Sequence, residues 1–175
     1  MEYRYWDSNC FLRWLKKEDG YEKCKGVIHK AEQEEIQIVT SALTIAEVIY
    51  LHPNDKIDRR RSDEICRFFE HEYIIPVNVD RSVAELARNL LWDYQPLRPK
   101  DAIHVASAIK AKVPIFDTFD DYLIGLSGSI GTPPLIIGEP NIQYQEEIEF
   151  EKKLKDQEDG ESEEQKNQES SKENQ

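Results

Sequence analysis

Three apolar runs rich in β-branched residues constrain this chain most: "IQIVTSA" (36–42), "YIIPVNV" (73–79) and "VPIFDT" (113–118). Each reads as a strand, and segments with helical spacing separate them. "YRYWD" (3–7) adds an aromatic strand at the start and "PPLIIG" (133–138) a short last one. Parallel neighbours need long crossovers, so strands alternating with helices predict an α/β fold with a central parallel sheet covered on both faces. In such sheets, ligand sites form at the carboxyl ends of the strands, near the point where strand order reverses.

The helical segments carry their own signals. "FLRWLKKEDG" ends at Gly20, and "YEKCKGVIHKAEQEE" places Cys24, Val27, Ile28 and Ala31 on one face. "LTIAEVIYL" (43–51) is expected to be helical until Pro53, "HPNDKIDRRRSD" to be a polar loop, and "SDEICRFFEHE" a short helix. Asp80 is expected to cap the helix "RSVAELARNLLWDY", and Pro99 to open "KDAIHVASAIKAK". Pro76 inside "YIIPVNV" places that strand at an edge or a strand end.

Charge divides the chain. The net charge of 175 residues is -12, and residues 146–175 hold 12 acids and 5 bases, net -7. That stretch is too polar to bury enough apolar area against its ordering entropy. The expected organisation is one folded domain over 1–143 and an acidic tail over 144–175, disordered beyond about residue 155. No run approaches the ~20 apolar residues of a membrane span. "MEYRYWDSNC" lacks a basic region followed by an apolar one, and three cysteines form no C-x-x-C pair. These features predict a soluble cytoplasmic protein without a disulfide framework or a zinc site.

Four acids fall at strand exits or helix entries: Asp7, Glu47, Asp101 and Asp120. Each has a capping explanation. Asp7 or Ser8 can cap the helix near Phe11, and Thr44 with Glu47 matches the T-x-x-E capping box. Asp101, two residues after Pro99, suits the positive end of a helix, and Asp120 can cap a short final helix. Capping does not require an acid at every exit, however, because Ser, Thr and Asn serve as well. A cluster of carboxylates repels itself, and a hard divalent cation such as Mg2+ or Mn2+ relieves the repulsion. An ion held in this way can activate water and neutralise a phosphodiester transition state.

Other chemistries have no motif. His29, His52, His71 and His104 form no H-E-x-x-H, and neither G-x-S-x-G nor G-x-x-x-x-G-K-[ST] occurs. "DTFDD" lacks the glycine and glutamate of a calcium loop. His104, three residues after Asp101, is expected to form a local pair with it.

The segments "YWDSNCFL", "TSALTIAEVIYL", "RPKDAIHVASAI" and "IFDTFDDYL" together resemble, in order and spacing, the four acidic motifs of the PIN-domain family of metal-dependent nucleases, over residues 3 to about 138. The resemblance implies a three-layer α/β/α sandwich and endoribonuclease activity on single-stranded RNA with Mg2+ or Mn2+. It carries over Asp7, Glu47, Asp101 and Asp120 as catalytic acids, with Asp7, Asp101 and Asp120 on the metal and Thr118 in support. Asp117 and Asp121 flank the expected fourth acid, so Asp117 stands as the alternative to Asp120. Many small relatives are VapC-type toxins, which implies an antitoxin partner and a homodimer. Arg59, Arg60 and Arg61, with Arg98 and Lys100, are the candidate RNA-binding patch. Two other readings stay open: a catalytically silent interaction module, and a nuclease that acts on DNA.

Overall fold

The computed structural model describes residues 1–52 and 55–142. The chain starts in the middle of its sheet, with β1 (Glu2–Trp6) as the central strand. Helices α1 (Ser8–Lys16) and α2 (Tyr21–Glu32) lead to β2 (Ile36–Ser41), which pairs parallel to β1 with Tyr5 opposite Val39. Next come α3 (Ala42–Glu47), a hairpin of β3 (Tyr50–His52) and β4 (Asp55–Lys56), and α4 (Ser62–Phe69). Strand β5 (Ile74–Val77) closes that edge against β2. Helices α5 (Arg81–Asp93) and α6 (Pro99–Lys110) then return the chain to β6 (Ile115–Asp117), on the other side of β1. Helix α7 (Asp121–Gly125) leads to β7 (Ile136–Gly138), giving the parallel order β5-β2-β1-β6-β7. Strand order reverses between β1 and β6.

Alternation along β1 sends Tyr5 to one face and Trp6 to the other. Tyr5 joins a core with Val83, Ala87 and Leu90 of α5, Val105 of α6 and Phe116. Trp6 joins Phe11 and Leu12 of α1, Val27 and Ile28 of α2, and Phe68 of α4. The sheet thus lies between two helical layers, each held by fully buried side chains worth about 1.5–3 kcal/mol apiece. Truncating Phe116 to alanine is expected to cost about 3–5 kcal/mol. Among the described residues, no helix is long and apolar enough to cross a membrane.

The predicted strands and most helices occur, and Pro76 does sit on an edge strand. The segment 43–51 differs from expectation. Helix α3 stops at Glu47, and Tyr50 begins a strand. Val48, Ile49 and Tyr50 are β-branched or aromatic and favour extended backbone, and Val48 is drawn wholly into the core on the Trp6 side. The expected polar loop that follows contains β4 and a 3-10 turn at Arg59–Arg61. Helix α1 starts at Ser8, three residues before Phe11. The expected disorder of the acidic tail lies outside the described residues.

Candidate functional site

All four acids lie toward the carboxyl edge of the sheet, around the β1/β6 reversal. Asp7 directly follows β1 and is the N-cap of α1, accepting hydrogen bonds from the backbone N–H of Asn9 (3.0 Å) and Cys10 (3.3 Å). Capping is only part of its environment. Its Oδ2 accepts a 2.6 Å hydrogen bond from the Thr118 hydroxyl, and the residue is 3% exposed. Burial pushes the Asp7 carboxyl above its ordinary pKa, against the opposing charge of His104 and the hydrogen bonds of Thr118, Cys10 and Asn9.

Thr118 explains the T-x-D spacing. Its hydroxyl donates to Asp7 and accepts from the backbone N–H of Asp120 at 3.0 Å, so one side chain joins the exits of β1 and β6. Asp120 in turn caps α7, accepting from the N–H groups of Tyr122 (2.9 Å) and Leu123 (3.1 Å). Asp101 lies in the first turn of α6. Burial, then the charge of Asp120, and more weakly that of Asp7, push its carboxyl up, while His104 and Arg98 oppose them.

Glu47 ends α3 and is not part of a capping box. Ser41 is the N-cap of α3, its hydroxyl accepting from Leu43 N–H, and Thr44 instead meets the Thr40 hydroxyl at 2.7 Å. Glu47 Oε2 lies 2.7 Å from Nε2 of His104, and Oε1 lies 3.1 Å from the Lys100 ammonium. Burial alone would raise this carboxyl. The hydrogen bond and charge of His104, with those of Lys100, outweigh burial and hold it below the ordinary value. His104 therefore pairs with Glu47 across the fold. The expected local Asp101–His104 pair is replaced because the imidazole points inward, where Nδ1 meets the Tyr5 hydroxyl at 2.9 Å. The contribution of Tyr5 left no signal in the sequence, since 99 positions separate it from His104.

Asp117 stands apart from these acids. It is register partner to Trp6 in the sheet, and both of its oxygens bond to Arg4, from Nε at 2.7 Å and Nη2 at 2.6 Å. The Trp6 indole N–H adds a third bond at 3.0 Å. Burial would lower the Arg4 guanidinium, but the hydrogen bonds and charge of Asp117, with a smaller share from Glu2, raise it overall. Asp121 is exposed in the first turn of α7.

The five expected cationic residues do not form one patch. Lys100 sits at the site, and Arg98 directly precedes the helix that carries Asp101. Arg61 instead donates to the Leu15 carbonyl at 2.8 Å, near the far end of α1 from Asp7, about 12 Å along the helix. Arg60 is paired with Asp58 at 2.7 Å, and Arg61 also pairs with Glu64. Arg59 lies beside them, exposed, in the same turn.

The acids suit a divalent cation by their chemistry. None of the hydrogen-bond partners of Asp7 carries a charge, and Asp101 is destabilised by neighbouring carboxylates. Oxygen donors with excess negative charge fit a hard ion. Among the described residues, no three His, Cys, Asp or Glu side chains converge tightly enough to ligate one ion directly.

A PIN-domain profile matches residues 4–128, and the chain belongs to the PIN-domain family. Its five-stranded parallel sheet flanked by helices is the PIN-like α/β fold. Solved structures with the same fold include VapC20 of Mycobacterium tuberculosis, described as a sarcin-ricin loop cleaving toxin. It is 14% identical, with a TM-score of 0.57 over 70% of this chain and 94% of that one. A toxin-antitoxin complex from Klebsiella pneumoniae is 19% identical, with a TM-score of 0.54 over 76% and 99%. FitAcB from Neisseria gonorrhoeae is 13% identical, with a TM-score of 0.53 over 78% and 97%. No curated protein matches the sequence.

Proposed function

We propose that this chain is a divalent-metal-dependent endoribonuclease, with Asp7, Asp101 and Asp120 holding Mg2+ or Mn2+ and Glu47 acting beside them. The observation that carries this reading is the buried Asp7 carboxylate, bonded only to neutral donors and close enough to Asp101 to raise it, at the reversal of a PIN-domain sheet. The ion, when bound, supplies Lewis acidity to the scissile phosphate and to water. Thr118 keeps Asp7 oriented and fixes the turn that presents Asp120. Glu47 stays ionised and orients the attacking water, while exposed Lys100 and Arg98 meet backbone phosphates.

The toxin-antitoxin reading rests on family and fold. The neighbours described as a cleaving toxin and as a toxin-antitoxin complex support a protein antitoxin as partner, and a cytoplasmic homodimer is proposed as the working form. Incubating RNA with protein and Mn2+ tests the activity. Cleavage that EDTA and Asp101→Asn both abolish supports it, and equal cleavage in either case overturns it. A single-stranded DNA oligonucleotide in parallel decides the substrate.

A further inference from the structure

We propose that His104 is a positioning residue, braced by the Tyr5 hydroxyl, that holds Glu47 by Oε2 and leaves Oε1 as its working oxygen. This rests on the nuclease reading above and assigns a task to two residues which that reading does not use.

Two of the other acids, Asp7 and Asp120, have backbone restraints. Asp7 accepts from two N–H groups and from Thr118, and Asp120 accepts from two N–H groups. Glu47 is the last residue of a six-residue helix, where helical cooperativity offers little restraint. What fixes it is the imidazole of His104, 3% exposed and carried by a different helix.

Hydrogen-bonding roles follow from the chemistry of the groups. An ionised carboxylate only accepts, so His104 donates to Glu47 from Nε2. With Nε2 committed to Glu47, Nδ1 is left to the Tyr5 hydroxyl, 2.9 Å away, which can act as donor or acceptor. Tyr5 is fully buried and its ring stacks on Phe116 with centroids 4.8 Å apart, so the core fixes the hydroxyl. The chain Tyr5–His104–Glu47 thus ties β1, α6 and α3 together.

The two oxygens of Glu47 are held unequally. Oε2 faces a buried, doubly bonded ring, whereas Oε1 faces Lys100, whose side chain is 70% exposed. Exposed ion pairs are weak and exchange with solvent or substrate. A phosphate arriving at Lys100 frees Oε1 toward the other acids while Oε2 stays anchored.

The test combines RNA cleavage kinetics in Mn2+, thermal unfolding, and long-range proton–nitrogen NMR of the imidazoles in the full-length 15N-labelled protein. The native ring is expected to carry its proton on Nε2, and its signals to move in Glu47→Gln. In His104→Leu, kcat is expected to fall about 10–100-fold at similar KM, as for other residues that orient a ligand. His104→Gln, which keeps a donor, is expected to recover most of that loss. Tyr5→Phe, which keeps the buried ring, is expected to lower kcat about threefold to tenfold. The proposal is overturned if folded His104→Leu keeps native kcat, or if His104→Gln falls as far as His104→Leu. If His104→Leu does not fold, Tyr5→Phe decides, and native kcat there overturns the proposal. A native protein that leaves RNA uncut overturns the nuclease reading alone. The ring signals then decide the tether: movement in Glu47→Gln supports it and no movement overturns it.

Discussion

Asp7 and Asp117 close neighbouring strands of one sheet, are equally buried at 3% and 1% exposure, and differ in the side chains that meet their oxygens. Asp117 meets a guanidinium on both oxygens, while Asp7 meets only neutral donors. Burial without countercharge is costly, and a fold keeps such a group when something else supplies the positive charge. Arg4 ties Asp117 into the sheet, whereas Asp7, which has no such partner among the described residues, is the acid proposed to face a cation.

The largest test removes the paired acid. Asp117→Ala leaves Arg4 buried with only the half-exposed Glu2 as countercharge, so urea unfolding is expected to show a loss of about 3–5 kcal/mol. Cleavage per folded molecule should survive. A stable Asp117→Ala protein would remove the basis of the contrast.

Substituting an unpaired acid should do the reverse. Asp101→Asn is expected to lower cleavage about 10²–10³-fold, with unfolding free energy in EDTA unchanged or higher, because a carboxylate raised by burial and neighbouring charge is gone. A protein destabilised as much as Asp117→Ala would mean that Asp101 is structural.

Thr118→Val probes the link between the strand exits. It deprives Asp7 of its 2.6 Å donor and Asp120 N–H of its acceptor, so unfolding is expected to lose about 1–3 kcal/mol. Cleavage should fall as well, and unchanged cleavage would show that Asp7 is oriented by its cap alone.

The smallest effect is a difference of sign between two helix caps. Asp80 caps α5 from the surface, and its carboxyl is held below the ordinary value by the N–H of Val83 and the hydroxyl of Ser82. Its contribution is present above the ordinary carboxylate pKa and is lost as pH falls through the lowered one. Asp7 is raised, so its protonated form favours the folded state. That contribution is present below the ordinary pKa and is lost as pH rises through the raised one. In EDTA, Asp80→Ala should flatten the acid limb of stability against pH, and Asp7→Asn the limb just above it. Asparagine caps nearly as well as aspartate, which isolates the charge. Matching profiles for the two variants would contradict the assignment.

Much of this was legible in the sequence, because the signals are local. β-branched runs marked β2, β5 and β6, Pro99 marked the first residue of α6, and strand exits located the acids. The failures were distant pairings. Nothing near Asp117 announces Arg4, which is 113 positions away, and nothing near His104 announces Glu47, 57 positions away. Helix α3 was expected to be too long because the period of "LTIAEVIYL" is helical, while burial of Val48 decides the matter.

The hydroxyl of Thr118 spans 111 positions to reach Asp7. A chain emerging during synthesis displays Asp7 and Glu47 early, yet lacks Asp101, Thr118 and Asp120 until most of the domain has been made. For an enzyme proposed to cut RNA, the order of translation is itself a delay, because the proposed site stays incomplete until the sixth strand is paired beside the first.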